Sequence, residues 1–311
     1  MPTDNPPFAT QPTRRGPLAA LYDCPYLLLI LTNLFWSGNF IVGRAVHESM
    51  PPVALAFCRW FGGFLVVIGL AWPHVKRDWP QLWRHWPMML LLSATGIAAF
   101  NTLVYVGLGS TTALNGLLEQ STMPVVILLC SLALFGERPS VRQMAGIAVS
   151  LAGVVVIIMR GEFWALGRLA LNRGDLWIFA AVVAYSIYSA LLRRRPLVHP
   201  LSFLAATFAL GTAMLLPLLL WEGAAGAIPR FEAATVLAVL YVAIFPSVLA
   251  YFFWNRGVEI VGANHAGQFV HLMPVFGSAL AILLLGEEFH GFHAAGAALI
   301  FTGIVLATRR G

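Results

Sequence analysis

Asn39, Asn101, Asn115, Glu119, Gln268 and His271 stand in stretches of sequence that are otherwise apolar. Trp36, Phe100, Tyr105, Tyr185, Tyr188, Tyr251 and Trp254 accompany them at helical spacing. Amides, hydroxyls and one carboxyl set among aromatic rings can hold a small amphiphile by its polar end and its apolar body. The spacing supports a shared surface. Ser247, Tyr251 and Trp254 fall at i, i+4 and i+7, as do Asn264, Gln268 and His271. Thr111, Asn115 and Thr122 share a face with Glu119 beside it; Asn101 and Tyr105 are four apart; Tyr185, Tyr188 and Ser189 cluster, as do Trp36, Asn39 and Phe40. The same residue types also serve as interfacial anchors or interhelical hydrogen bonds, so both roles stand open at this point.

No enzymatic constellation competes with binding. The chain has no Gly-rich phosphate loop with its Lys and no Ser-His-Asp set. His290 and His293 beside Glu287 and Glu288 look metal-like, but an ordinary polar loop accounts for them. Cys24, Cys58 and Cys130 have neither metal-like nor paired spacing and suit small packing residues. No cofactor or metal is expected.

The polar residues need elements to carry them. The chain has 311 residues, of which 59% are hydrophobic and 10% charged. Soluble domains carry about 25% charged residues. Lipid is the solvent that suits this composition, and a bilayer core takes about 20 apolar residues per helix. Ten apolar segments can be marked, at about 25–43, 51–72, 87–107, 112–134, 142–159, 174–192, 200–221, 233–253, 263–285 and 292–308. They do not alternate as barrel strands would. The predicted fold is therefore an all-α integral membrane protein of ten transmembrane helices. The polar start, residues 1–24, is expected as a disordered cytoplasmic tail. With the N-terminus inside, 13 Lys and Arg fall on the cytoplasmic side and 5 outside, with Arg59 within the second span. This bias predicts both termini cytoplasmic. The net charge of +6 belongs to helix ends, not to nucleic-acid binding.

A shift of 150 residues places Met123-Pro124-Val125 on Met273-Pro274-Val275, Gly136-Glu137 on Gly286-Glu287, Gly146 on Gly296 and Gly153 on Gly303. Nearer the start of each half the shift is 149, with Ser37 on Ser186 and Arg44 on Arg193. The halves are 25–165 and 166–311, with five spans each. An odd number of spans inverts the second copy, the arrangement common in secondary transporters with a site between the halves. Spans 1, 3, 4, 6, 8 and 9 carry the polar and aromatic faces and are expected around a central cavity. Spans 5 and 10 are expected to pack at the periphery. Pro124 and Pro274 fall inside spans and predict paired hinges.

The chain resembles the EamA-type members of the drug/metabolite transporter superfamily. The resemblance rests on Leu34-Phe35-Trp36-Ser37-Gly38-Asn39-Phe40, Arg59-Trp60, the short link Gly107 to Ala113, the duplicated Met-Pro-Val followed by Gly-Glu, and the paired glycines of spans 5 and 10. Within that family it is most similar to YddG-type exporters, although His265, Gln268 and His271 depart from many relatives. The resemblance implies a bacterial inner-membrane secondary transporter that exports small neutral or aromatic amino acids by alternating access. Export of another amphiphilic metabolite or a cationic drug is the alternative; a membrane enzyme or receptor is the reading of another class. A small-molecule substrate and membrane lipid are the expected partners, and a monomer would suffice. Glu119 is the candidate for proton coupling or amine binding.

Overall fold

In the computed structural model, residues 22–159, 172–285 and 288–308 are described. Residues 1–21, Arg160 and Arg168 of the interrepeat loop, Gly286-Glu287, and Arg309-Arg310 lie outside them.

Helices account for every expected span: α1 Pro25–Ala45, α2 Pro52–Arg84, α3 Trp86–Leu108, α4 in two pieces (Ala113–Gln120 and Met123–Phe135) and α5 Val141–Ile158. The second half follows with α6 Arg173–Leu191, α7 Pro200–Ala224, α8 Ala233–Val261, α9 in two pieces (Ala263–Gln268 and Leu272–Leu285) and α10 Gly291–Thr308. Among the described residues nine of these are long and apolar enough to cross a membrane, α4 counting as one span over Asn115–Phe135, and α9 is divided by a 3-10 turn at Phe269–His271. The protein is a multi-pass membrane protein.

Local chemistry sets the helix ends. Proline opens α1, α2 and α7, where its missing N–H costs nothing. Ser140 with Gln143, and Asn172 with Asp175, form capping boxes at the starts of α5 and α6. Gly136 ends α4 at φ 69°, in the left-handed region, and its N–H returns to the Leu132 carbonyl.

The packing obeys the repeat. Helix α1 packs on α8 and α9, and its copy α6 packs on α3 and α4. Helices α2 and α7 pair with each other, as do α5 and α10. The caps of α2 and α7 are reciprocal: Glu222 at the end of α7 accepts the Val53 and Ala54 N–H groups at 3.0 and 2.8 Å. Asp78 near the end of α2 accepts the His199 N–H at 2.9 Å. Each carboxylate thus meets the positive end of the partner's dipole. Where α5 crosses α10, a Cβ added to Gly146 would lie 2.6 Å from the Gly303 carbonyl oxygen, and one on Gly153 would lie 2.6 Å from that of Gly296. Only glycine lets these backbones meet.

Two helices outrun the expected spans. Helix α2 continues through Pro73 and Pro80 to Arg84, past the expected end at 72. Its extension buries Asp78 and Leu82, and leaves Trp79 and Trp83 exposed, as at a membrane interface. Helix α8 continues to Val261 because Trp254, Asn255, Gly257 and Val258 are buried.

A feature with no trace in composition is a π-helical turn in each half, at Ala94–Ala99 in α3 and Ile244–Leu249 in α8. The two are offset by 150 residues, the repeat interval. A π-turn frees carbonyls from the regular ladder, and such turns concentrate at functional sites.

Candidate transport site

Ten of the expected residues converge at the centre, but their rings fill the space they were expected to line. Trp36 of α1 lies 5.2 Å from Tyr185 of α6 and 5.1 Å from Trp254 of α8, ring to ring. Phe100 of α3 lies 4.5 Å from Tyr185, and Tyr188 lies 5.2 Å from it. Tyr251 lies 6.1 Å from Trp36. Helices α2 and α7, absent from the expected lining, contribute too: Trp60 lies 5.0 Å from Tyr251 and 4.8 Å from Phe208. All eight rings are buried.

The polar groups run through this cluster in pairs that exchange roles across the repeat. Tyr105 donates to Asn39 Oδ1 at 2.7 Å, joining α3 to α1. Tyr188 donates to Asn255 Oδ1 at 2.8 Å, joining α6 to α8. Under the repeat Asn39 falls on Tyr188 and Tyr105 on Asn255, so each half supplies the same bond with donor and acceptor exchanged. Asn101 and Tyr251 are repeat partners and touch each other, Nδ2 to hydroxyl, at 3.4 Å. The two π-turns offer equivalent carbonyls: Gly96 accepts from the Tyr251 hydroxyl, and Pro246 accepts from Trp36 Nε1 at 3.2 Å. Trp254 Nε1 donates to Ser189 at 3.2 Å.

At the middle of this network lies Arg59, with no exposed surface. Its Nε donates to Ser247 Oγ at 2.6 Å and its Nη2 to the Pro246 carbonyl at 2.9 Å. Its Nη1 reaches Asn39 Oδ1 at 2.7 Å and the Tyr105 hydroxyl at 2.9 Å. The sequence offered one signal for it, a charge within an apolar span, but neither its partners nor its centrality.

Above and below this centre the two ends differ. At the end holding the α3–α4 link and the start of α6, Arg44 Nη1 binds the Leu108 carbonyl at 2.7 Å. Thr111 donates to Asp175 at 2.7 Å, Asp175 also accepts the Asn172 N–H at 2.9 Å, and Asn115 donates to Thr111 at 3.2 Å. The Glu119 carboxyl lies near Asp175, and its Oε2 is buried without a partner. Asp175 was not singled out in the sequence because an acid three residues after Asn172 reads as a helix cap. At the opposite end, the repeat copy of Arg44, Arg193, turns away and pairs with Glu137. There a cavity of about 420 Å³ opens, lined by Ser189, Leu192, Arg193, Asn255, Val258 and Glu137 among others. Among the described residues, these bonds tie the first end shut and the cavity opens the second.

The remaining expected residues lie off the centre. His271 is buried, with Nδ1 2.6 Å from Ser150 Oγ and Nε2 2.9 Å from the Ser121 carbonyl, so both ring nitrogens tie α9 to α5 and α4. Gln268 donates to the Asn264 carbonyl at 3.3 Å. Pro124 and Pro274 sit in the first turns of the second pieces of α4 and α9, just after the breaks. A proline there lacks no ladder bond, so the breaks at Ser121–Thr122 and Phe269–His271, not lost proline bonds inside a helix, interrupt the spans.

The chain matches the EamA-like transporter family twice, over residues 24–159 and 172–309. It belongs to the EamA-like transporter family. The two matches coincide with the two structural halves. An uncharacterized transporter of Archaeoglobus fulgidus is 31% identical over 291 residues, covering 92% of this chain and 97% of that protein. A probable amino-acid metabolite efflux pump of Salmonella typhimurium is 27% identical, covering 90% of this chain and 93% of the pump. A solved crystal structure with 24% identity has the same fold, with a TM-score of 0.72 over 91% of this chain and 96% of its own. This EamA-like protein is a transporter and not an enzyme.

Proposed function

We propose that this EamA-like transporter exports small neutral or aromatic amino acids, or metabolites derived from them, across a bacterial inner membrane by alternating access. The observation that carries this is the buried cluster of rings threaded by amides, hydroxyls and one guanidinium, with a cavity at one end that reaches Ser189 and Asn255, the hydrogen-bond partners of Trp254 and Tyr188. The name of the Salmonella typhimurium relative supports the same substrate class. The open end carries Arg84, Arg193, Arg194 and Arg195, so the positive-inside bias makes it cytoplasmic. The cavity would load substrate from the cytoplasm. The exchange of Arg44-type and Arg193-type contacts would then close one end and open the other, with Pro124 and Pro274 beside the breaks that flex.

The fixed positive charge of Arg59 at the centre opposes a cationic drug as substrate. Proton coupling would reside in the Glu119–Asp175 pair, two carboxyls near each other at the closed end. Gain or loss of a proton there would alter the grip of Thr111 and Asn172 on α6. Proteoliposome counterflow with labelled Phe, Trp, Met and Thr tests the proposal; flux no greater than in empty vesicles for every amino acid would sink it.

A further inference from the structure

We infer that Arg59 reads the carboxylate of the substrate, and that this contact releases a latch between the two halves. The inference rests on the amino-acid proposal for its substrate, but its own argument is electrostatic. A guanidinium taken out of water carries a desolvation cost that neutral acceptors offset only in part. All four acceptors around Arg59 are neutral: a hydroxyl from Ser247, a carbonyl from Pro246, the Asn39 amide and the Tyr105 phenol. Among the described residues no carboxylate forms an ion pair with it. A neutral side chain could bridge the same atoms more cheaply. A charge kept at the centre of a membrane protein without a counter-charge suits an anion that arrives and leaves.

The geometry says which edge the anion would take. The Nε and Nη2 edge of a guanidinium is the fork that matches a carboxylate's two oxygens. In this structure that edge points at the second half, on Ser247 and Pro246 of the α8 π-turn. The Nη1 corner stays on Asn39 and Tyr105 of the first half. A carboxylate on the fork therefore replaces both bonds to the second half and none to the first. A carboxylate brings an opposite charge and a bidentate match to the fork, neither of which the hydroxyl of Ser247 and the carbonyl of Pro246 supply, so the exchange favours release. Acceptors for the amine lie within the same cluster: Asn101 Oδ1 is buried without a partner, and Tyr251 joins Asn101 to Trp60, over whose ring Arg59 sits at 4.9 Å. The Tyr185 hydroxyl and Trp60 Nε1 are also buried without partners, so the cluster has unused polar capacity.

The test compares purified wild type, Arg59→Lys and Arg59→Gln in proteoliposomes, each first shown monodisperse. The probes are phenylalanine, phenylalaninamide, phenethylamine, phenylacetate and N-acetylphenylalanine, as substrates and as competitors of counterflow. Wild type should prefer each carboxylate over its amide or amine partner by about 10- to 100-fold, the range for a charged hydrogen bond. Arg59→Lys should keep a weaker preference, and Arg59→Gln should lose it while residual flux remains. A merely structural role would lower flux for all probes alike. An equal preference in Arg59→Gln, or none in wild type, overturns the inference. Should Arg59→Gln fail to fold, the wild-type preference and its weakening in Arg59→Lys decide. Flux of phenylacetate without flux of phenylalanine would uphold Arg59 and refute the amino-acid proposal; flux of neither refutes both.

Discussion

Replacing Arg44 by Ala should unlock the closed end. The Arg44 guanidinium donates to the Leu108 carbonyl at 2.7 Å and ties α1 to the end of α3. Its repeat copy, Arg193, makes no such tie; it pairs with Glu137 at the open end. If transport proceeds by the alternating access proposed above, the contact belongs to one of its two states, and a contact made in only one state biases the equilibrium by its own strength. A hydrogen bond from a charged group contributes about 1.5–3 kcal/mol. Arg44 is half-buried, so the low end applies, about 1.5 kcal/mol, or roughly a tenfold shift toward opening. Spin labels at Glu48→Cys and Ser110→Cys, in a background lacking Cys24, Cys58 and Cys130, report this end through exposed positions. Double electron–electron resonance should show a longer distance gaining population in Arg44→Ala, with Arg44→Lys between it and wild type. An unchanged distribution would refute the assignment of this bond as a state-specific tie.

Glu119→Gln should abolish the response of transport to a pH gradient while leaving downhill exchange; a persisting response would place coupling elsewhere. Gly146→Ala should destabilise the α5–α10 crossing by about 1–3 kcal/mol, because its Cβ would meet the Gly303 carbonyl oxygen and the Ala307 Cβ, each at 2.6 Å. Gly69→Ala, with nothing within 4 Å of its added Cβ, should be neutral or slightly stabilising in the same thermal melt. His199, just outside α7, has its pKa lowered from 6.5, first by burial and then by His74, against whose ring it stacks at 3.7 Å. Asp78 raises that pKa in part, and Arg77 lowers it further. The unfolded chain then takes up a proton that the fold resists, so stability should fall as pH drops below about 6.5 and level off below the folded value. His199→Asn, which retains a capping side chain, should flatten that slope in melts measured across this range.

Much of this architecture could be read from residue types, because lipid leaves few options. Apolar runs bounded by Pro and Gly located the helices to within a few residues, except where α2 passes Pro73 and Pro80 and where α8 runs on from 253. The repeat offset did more than divide the chain: Trp36 touches its own copy Tyr185, and Asn101 touches Tyr251, because residues on a pseudo-twofold axis meet their partners. Helical spacing grouped side chains that meet at the centre but could not say whether they line a space or fill it, since ring packing depends on neighbours from six helices. Arg59 escaped because its importance lies in what surrounds it, not in its spacing. Asp175 escaped because capping a helix and facing Glu119 are compatible roles for one carboxyl. The π-turns escaped because one extra residue in a helical turn changes no composition.

Those paired π-turns also carry a history. An inserted residue in a helix rotates everything beyond it by about 100°, and evolution seldom tolerates one without compensation. Finding one at Ala94–Ala99 and another 150 residues on at Ile244–Leu249 is most simply explained by a single event in a five-helix ancestor, before its gene was copied and fused. That ancestor already had the irregular turn whose copies now hold Tyr251 through Gly96 and Arg59 through Pro246. It would have worked as a pair of identical chains inserted in opposite directions. Arg59 has Phe208 as its repeat counterpart, so one half has changed at that position since fusion, a freedom that a symmetric dimer of one gene product could not have had.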